Sequence, residues 1–139
     1  MLKKSFSILL ITSTLFFSCQ ENTPQKIEKT ILLETTKSWN GNPLPVLNGQ
    51  TKVTISKIVI PSGAQLPWHI HPVITTGILT KGELTITDKD GNEKIIKAGD
   101  VLVEVSNERH FGKNTGNSAA EILVFYVGEK DSPTTIIER

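Results

Sequence analysis

Beyond residue 50, apolar residues fall in short runs broken by Gly, Pro, Asn and Asp, and no stretch sustains a helical period. Thr51–Ile60 is dense in Val, Ile and Thr and predicts a strand with both faces partly covered. Leu66–His71 reads as a second strand, set off by the turn signal Pro61-Ser62-Gly63-Ala64. Thr76–Thr87 carries Ile78, Leu84 and Ile86, then meets Asp88-Lys89-Asp90-Gly91-Asn92, whose Asp-Gly is a strong hairpin signal. Glu93–Lys97 returns, and Ala98-Gly99-Asp100 turns again. Val101–Val105 and Glu121–Val127 add two strands, the second a continuous apolar run. Upstream, Ile31–Thr36 is a short apolar run in the same β pattern, and Trp39-Asn40-Gly41-Asn42-Pro43 is a turn. Many short strands with regular turns predict an all-β barrel or sandwich.

The N-terminus follows a different pattern. Lys3 and Lys4 precede an apolar stretch from Phe6 to Phe17, and Ser18-Cys19 follows. A positive start, an apolar core and a small residue before a cleavage point make a secretory signal. The run is too short for a bilayer-spanning helix, which needs about 20 residues. Cys19 is the single cysteine of the 139 residues, so it has no disulfide partner within the chain. Leu15-Phe16-Phe17-Ser18-Cys19 resembles the lipobox of bacterial lipoproteins, in which the cysteine becomes the lipidated first residue. The expected organisation is a lipoprotein-type signal peptide over 1–18, a flexible polar tether over 19–30 and one β domain over 31–139. The resemblance implies a periplasmic or cell-envelope protein held to the membrane by its lipid anchor alone.

Charge and motifs narrow the chemistry. The formal balance of +1 argues against nucleic acid as a partner, because there is no basic run. No Gly-rich phosphate loop and no G-x-S-x-G is present. The conspicuous residues are the three histidines, His69, His71 and His110. His69 and His71 stand two apart in a predicted strand, so both rings share a face while Trp68 and Ile70 take the other. His110 lies in a second strand-and-turn segment. Neutral imidazole is the commonest side-chain metal ligand, and three gathered at one point make an open site. Nitrogen donors favour Fe, Ni, Cu or Zn over Mg or Ca, so one divalent transition metal is the expected cofactor.

Gly63, His69, His71 and Gly82 fall in register on the first motif of the cupin family, Gly-x5-His-x-His-x3–4-Glu-x6-Gly. Gly99, His110 and Asn114 fall on the second, Gly-x5-Pro-x-Gly-x2-His-x3-Asn. The chain therefore resembles a small single-domain cupin, and the resemblance implies the double-stranded β-helix barrel. It departs at Thr75, which stands where the family has its glutamate ligand, and at Val105 and Asn107, which replace the Pro and Gly. Asn tolerates the left-handed backbone that Gly supplies, so its presence threatens the fold little. The missing glutamate matters more. Three neutral imidazoles leave a divalent charge uncompensated, which favours anionic or chelating oxygen ligands. Thr75 is a candidate for holding metal-bound water, though β propensity accounts for it equally well. Glu104 would supply the missing carboxylate if it turned inward; facing solvent is the commoner outcome for such a residue. Trp39, Trp68, Phe111 and Tyr126 read as core or rim packing.

Two function classes fit. One is a mononuclear metal enzyme, dioxygenase-like by resemblance to cupins with three-histidine iron sites, acting on a small anionic or chelating molecule. The other is a non-catalytic cupin that binds a metal or small molecule. A homodimer is compatible with both. Replacing Cys19 by Ser is expected to move the protein from the membrane fraction to the soluble fraction on cell fractionation. Retention at the membrane would refute the lipid anchor.

Overall fold

The structure is a computed structural model that describes residues 27–138. The expected signal peptide, Cys19 and the tether up to residue 26 lie outside the described residues. Ile31–Arg139 forms one compact unit. Among the described residues, nine strands follow one another without an intervening helix: β1 Thr51–Ile60, β2 His69–Ile70, β3 Ile74–Lys81, β4 Glu83–Asp88, β5 Glu93–Lys97, β6 Val101–Val103, β7 His110–Lys113, β8 Ala120–Glu129 and β9 Ile136–Ile137. They pair antiparallel in two sheets, ordered β1-β8-β3-β6 and β5-β4-β7-β2-β9. The all-β barrel expectation holds.

Strand alternation places the core between the sheets. On β8, Ala120, Ile122, Val124 and Tyr126 point inward and are buried, while Glu121, Leu123, Phe125 and Val127 face the other way. Leu79 on β3, Leu84 and Ile86 on β4, Ile96 on β5 and Leu102 on β6 meet them in one cluster. Burying each such side chain contributes about 1.5–3 kcal/mol.

Three sequence expectations change. Thr76–Thr87 is two strands in different sheets, β3 and β4, because Gly82 turns the chain between them with φ +79°. A Cβ there would lie 2.9 Å from the Ala120 Cα and 3.0 Å from the Ala119 carbonyl oxygen, so only glycine fits the corner. Ile31–Thr36 is not a strand: it makes no ladder with a neighbour, and Ile31 and Leu32 are 62% and 66% exposed. On β1 only one face is covered: Val53, Ile55 and Val59 lie on the open side, although they are apolar.

The second-motif departure at Asn107 is harmless, as its chemistry suggests. Asn107 adopts φ 55° and its amide donates to the His71 carbonyl at 2.8 Å. Asn114, fully buried, ties strands together: Nδ2 donates to the Ile60 and Ser118 carbonyls at 2.8 Å, and Oδ1 accepts from the Gly116 amide at 2.9 Å. The two backbone sites should respond differently to mutation. Gly82→Ala is expected to lower unfolding free energy in urea by about 2 kcal/mol or more, while Asn107→Gly changes it by less than about 1 kcal/mol. Equal effects would show that the corner at Gly82 is not sterically constrained.

Candidate metal centre

His69 and His110 are direct cross-strand partners on β2 and β7, which is why their rings lie 4.4 Å apart. His71 follows β2 and returns to the same face, 4.8 Å from the His69 ring and 5.0 Å from His110. All three are buried, and each offers a ring nitrogen within 4.8 Å of the others. Trp68 and Ile70 take the opposite side, as period two requires. Trp68 packs edge-on against Phe111 at 4.6 Å, with the Arg109 guanidinium over its ring.

The backbone sets the tautomer of every imidazole. Nδ1 of His69 lies 2.8 Å from the Pro67 carbonyl, Nδ1 of His71 lies 2.8 Å from the Thr134 carbonyl, and Nδ1 of His110 lies 2.9 Å from the Glu108 carbonyl. A carbonyl can only accept, so each Nδ1 carries the proton and donates. In the neutral ring the lone pair is then on Nε2. Backbone carbonyls in this position are the usual outer partners of metal-bound histidines, orienting the ring and raising its basicity.

Glu104 also turns inward, against the commoner outcome for a charged residue next to a strand. Its side chain is 12% exposed, with Oε2 2.7 Å from His110 Nε2 and 3.8 Å from His71 Nε2. The shorter approach lies off the direction a hydrogen bond needs, and His110 Nε2, although buried, has no hydrogen-bond partner. Val103 and Val105 are buried as well, so alternation from Leu102 to Glu104 is masked in the sequence by apolar residues of both parities. Thr75 is wholly buried, but its hydroxyl donates to the Val73 carbonyl at 3.4 Å and it does not line the cavity beside the histidines.

That cavity has a free volume of about 40 Å³ and walls of Ile58, Leu66, Ile86, Ile122 and Val124. Tyr126 lines it too, its ring 5.6 Å from His71; the sequence reading as packing missed this role. The signal was its shared parity with Ile122 and Val124 on β8. Nothing in the sequence marked Thr134, which acts through its backbone on β2's neighbour segment before β9.

Electrostatics divide the cluster. Burial lowers the pKa of His69, and it takes His71 down to about 4 despite the Glu104 charge. Burial also pushes His110 down, but the Glu104 contact and charge outweigh it and hold its pKa above the ordinary value. Glu104 is the converse case. Burial raises its pKa, yet the His110 contact and the surrounding imidazoles bring it below the usual carboxylate value. Burial, reinforced by Glu104, raises Tyr126, which stays a phenol.

The donor set suits a divalent ion: Nδ1 protons engaged by carbonyls, a buried Nε2 on His110 without a hydrogen-bond partner and one anionic oxygen in a cavity with mostly apolar walls.

An antiparallel two-sheet barrel with an imidazole-lined interior defines a class of small β-barrel proteins. Residues 56–126, about half of the chain, match the family model described as a cupin domain, and the chain belongs to that family. It is 30% identical over 88 residues to oxalate oxidase GF-3.8 of Triticum aestivum, covering 58% of this chain and 39% of that protein. It is 29% identical over 90 residues to germin-like protein 8-14 of Oryza sativa subsp. japonica, covering 60% and 42%. The chain thus spans less than half the length of these relatives. Among solved structures, oxalate oxidase in complex with the substrate analogue glycolate superposes with a TM-score of 0.53 at 24% identity, over 61% of this chain and 45% of that one. That likeness carries the fold.

The lowered pKa of His71 has a consequence for stability. In metal-free protein the unfolded chain takes a proton at this residue below about 6.5, whereas the folded chain refuses it until about 4. The unfolded state then binds more protons across this window, so stability rises with pH there and is lost as pH falls from 6.5 towards 4. Chelator-treated protein should lose about 2–3 kcal/mol by this route. His71→Gln, compared by urea denaturation at each pH, should show a flatter acid limb. Parallel limbs would contradict the buried neutral imidazole.

Proposed function

We propose that this chain is an extracytoplasmic, lipid-anchored cupin that binds one divalent transition metal through His69, His71 and His110. We further propose that it acts as a metal-dependent oxidoreductase on a small chelating oxyacid. The observation that carries the reading is the set of three Nδ1-to-carbonyl contacts, which leave three Nε2 atoms available inside one buried cavity. Isolated core histidines need no such common orientation.

The cavity is small, about 40 Å³ of free volume, which favours a small ligand, and the name of one relative points to oxalate. A bound metal would act as a Lewis acid and electron acceptor for a chelated carboxylate. The protein's own residues do the rest. The apolar walls limit the access of water, the imidazoles hold their orientation through Pro67, Thr134 and Glu108, and the Tyr126 side chain lines the cavity where a ligand would sit. Oxidation of oxalate balances as cleavage of its carbon–carbon bond to two carbon dioxide molecules. Two electrons pass to dioxygen, which takes up two protons to become hydrogen peroxide.

Protein purified without a histidine tag is expected to contain close to one divalent transition metal per chain by mass spectrometry of the metals, and His110→Ala to lose most of it. With oxalate, the loaded protein should consume dioxygen. Metal bound without turnover of oxalate would assign it instead to the non-catalytic cupins. Absence of metal from wild type, after growth and reconstitution with Fe, Ni, Cu and Zn salts, would refute the site.

A further inference from the structure

The family motif places its carboxylate on the strand of the first motif, where this chain has Thr75. Thr76 pairs with Val103 and Gly77 with Leu102 in the β3–β6 ladder. Continuing that register brings Thr75 opposite Glu104, and the Glu104 amide donates to the Thr75 carbonyl at 2.8 Å. Directly opposed residues in an antiparallel pair carry their side chains on the same face, about 5 Å apart at Cβ. Thr75 and Glu104 are therefore neighbours across one rung, both turned into the barrel.

We propose that the carboxylate ligand of this centre has moved to the neighbouring strand on the same rung: Glu104, continuing from β6, supplies the oxygen donor that Thr75 on β3 does not. The proposal rests on the three-histidine reading above and adds a fourth ligand from the opposite strand. Four observations support it. Among the described residues, Glu104 is the one carboxylate lining the cavity. Its Oε2 lies 2.7 Å from His110 Nε2 and 3.8 Å from His71 Nε2. Adjacent ligands about 2.1 Å from one ion stand roughly 3 Å apart, so these contacts bracket the spacing of two groups that share an ion. His110 Nε2 has no well-directed hydrogen-bond partner, so its 2.7 Å approach to Glu104 Oε2 is a close ion-pair contact, a spacing that an ion held between the two groups would also give. The Thr75 hydroxyl is engaged with the Val73 carbonyl and leaves the oxygen position to its neighbour.

The relocation has chemical meaning. One carboxylate cancels one unit of the ion's charge, leaving a net positive centre that still attracts an oxyacid. With four protein donors, an octahedral ion keeps two positions for a bidentate ligand.

Cobalt(II) is a suitable probe because its visible absorption reports coordination. Wild-type protein titrated with Co(II) alone should bind it, and His71→Ala should abolish binding. Glu104→Gln, nearly isosteric, should weaken Co(II) by about 100-fold, the upper end of what even an outer partner costs. It should also shift the absorption bands and strengthen azide binding at the freed position. The exchange variant Thr75→Glu with Glu104→Thr should return Co(II) affinity to within about 10-fold of wild type, since the carboxylate is restored on the same rung from the neighbouring strand. Unchanged affinity and bands in Glu104→Gln would overturn the proposal while leaving the three-histidine site intact. Failure of the folded exchange variant to regain affinity would overturn it as well. If wild type does not bind Co(II), the three-histidine reading falls, and this one with it. Should Glu104→Gln not fold, Glu104→Asp decides: it keeps the charge but withdraws the oxygens by one methylene. Weaker Co(II) binding with shifted bands would support the proposal, and an unchanged spectrum would overturn it.

Discussion

The donation of each imidazole Nδ1–H to a backbone carbonyl is the interaction on which the centre depends. Without it, a buried neutral histidine could present either nitrogen, and burial would leave one or both unsatisfied at a cost of about 1–3 kcal/mol each. With it, one nitrogen is satisfied by the scaffold and the other is left for a ligand. The three acceptors come from Pro67, Glu108 and Thr134, two just ahead of the histidines they serve and one from the far end of the chain. The segment leading into β9 is thereby tied to the site: Ile137 pairs with His69 and Ile136 with Ile70, while Thr134 holds His71. Fold closure and site geometry are the same event here.

Placing this cluster in an apolar barrel exacts a cost. Three rings and a carboxylate are withdrawn from water among Ile, Leu and Val side chains, and burial is the largest influence on the protonation of each. The cluster resolves the conflict unevenly. His69 and His71 stay neutral, while His110 and Glu104 stabilise each other's charged forms. A partly charge-paired, partly neutral interior is a poor way to stabilise a fold, because removing one partner leaves the other buried alone. It suits a divalent ion, which His69, His71 and His110 would hold and whose charge would offset the carboxylate. The aliphatic cluster of Leu79, Leu84, Ile86 and Ile122 supplies the stability that this polar centre does not.

The relationship to oxalate oxidase and germin-like proteins fits the same picture. Cupins host varied chemistries on one barrel, so the site rather than the fold carries the functional reading. In this chain a threonine stands at the glutamate position of the first motif, and Glu104, bonded through its amide to the Thr75 carbonyl, lines the cavity.

Much of this was legible in the sequence by itself. The strands, the hairpin at Asp90-Gly91 and the inward pair His69 and His71 follow from period-two alternation and turn chemistry, which are local properties. The in-register glycines tied His110 to the same motif pair, and Asn107 could be foreseen as a stand-in for glycine because its tolerance of positive φ is intrinsic. Other features were settled only by tertiary structure. Gly82 splits one apolar stretch between two sheets because Ala120, distant in sequence, packs against it. Glu104 points inward because its strand is registered against Thr75, and register is a relation between strands that composition along one strand does not contain. Tyr126 enters the cavity because β8 is central in its sheet. The carbonyl of Thr134 reaches His71 only when the chain end returns to the barrel. Local chemistry determined which residues could take part; long-range pairing decided which of them meet.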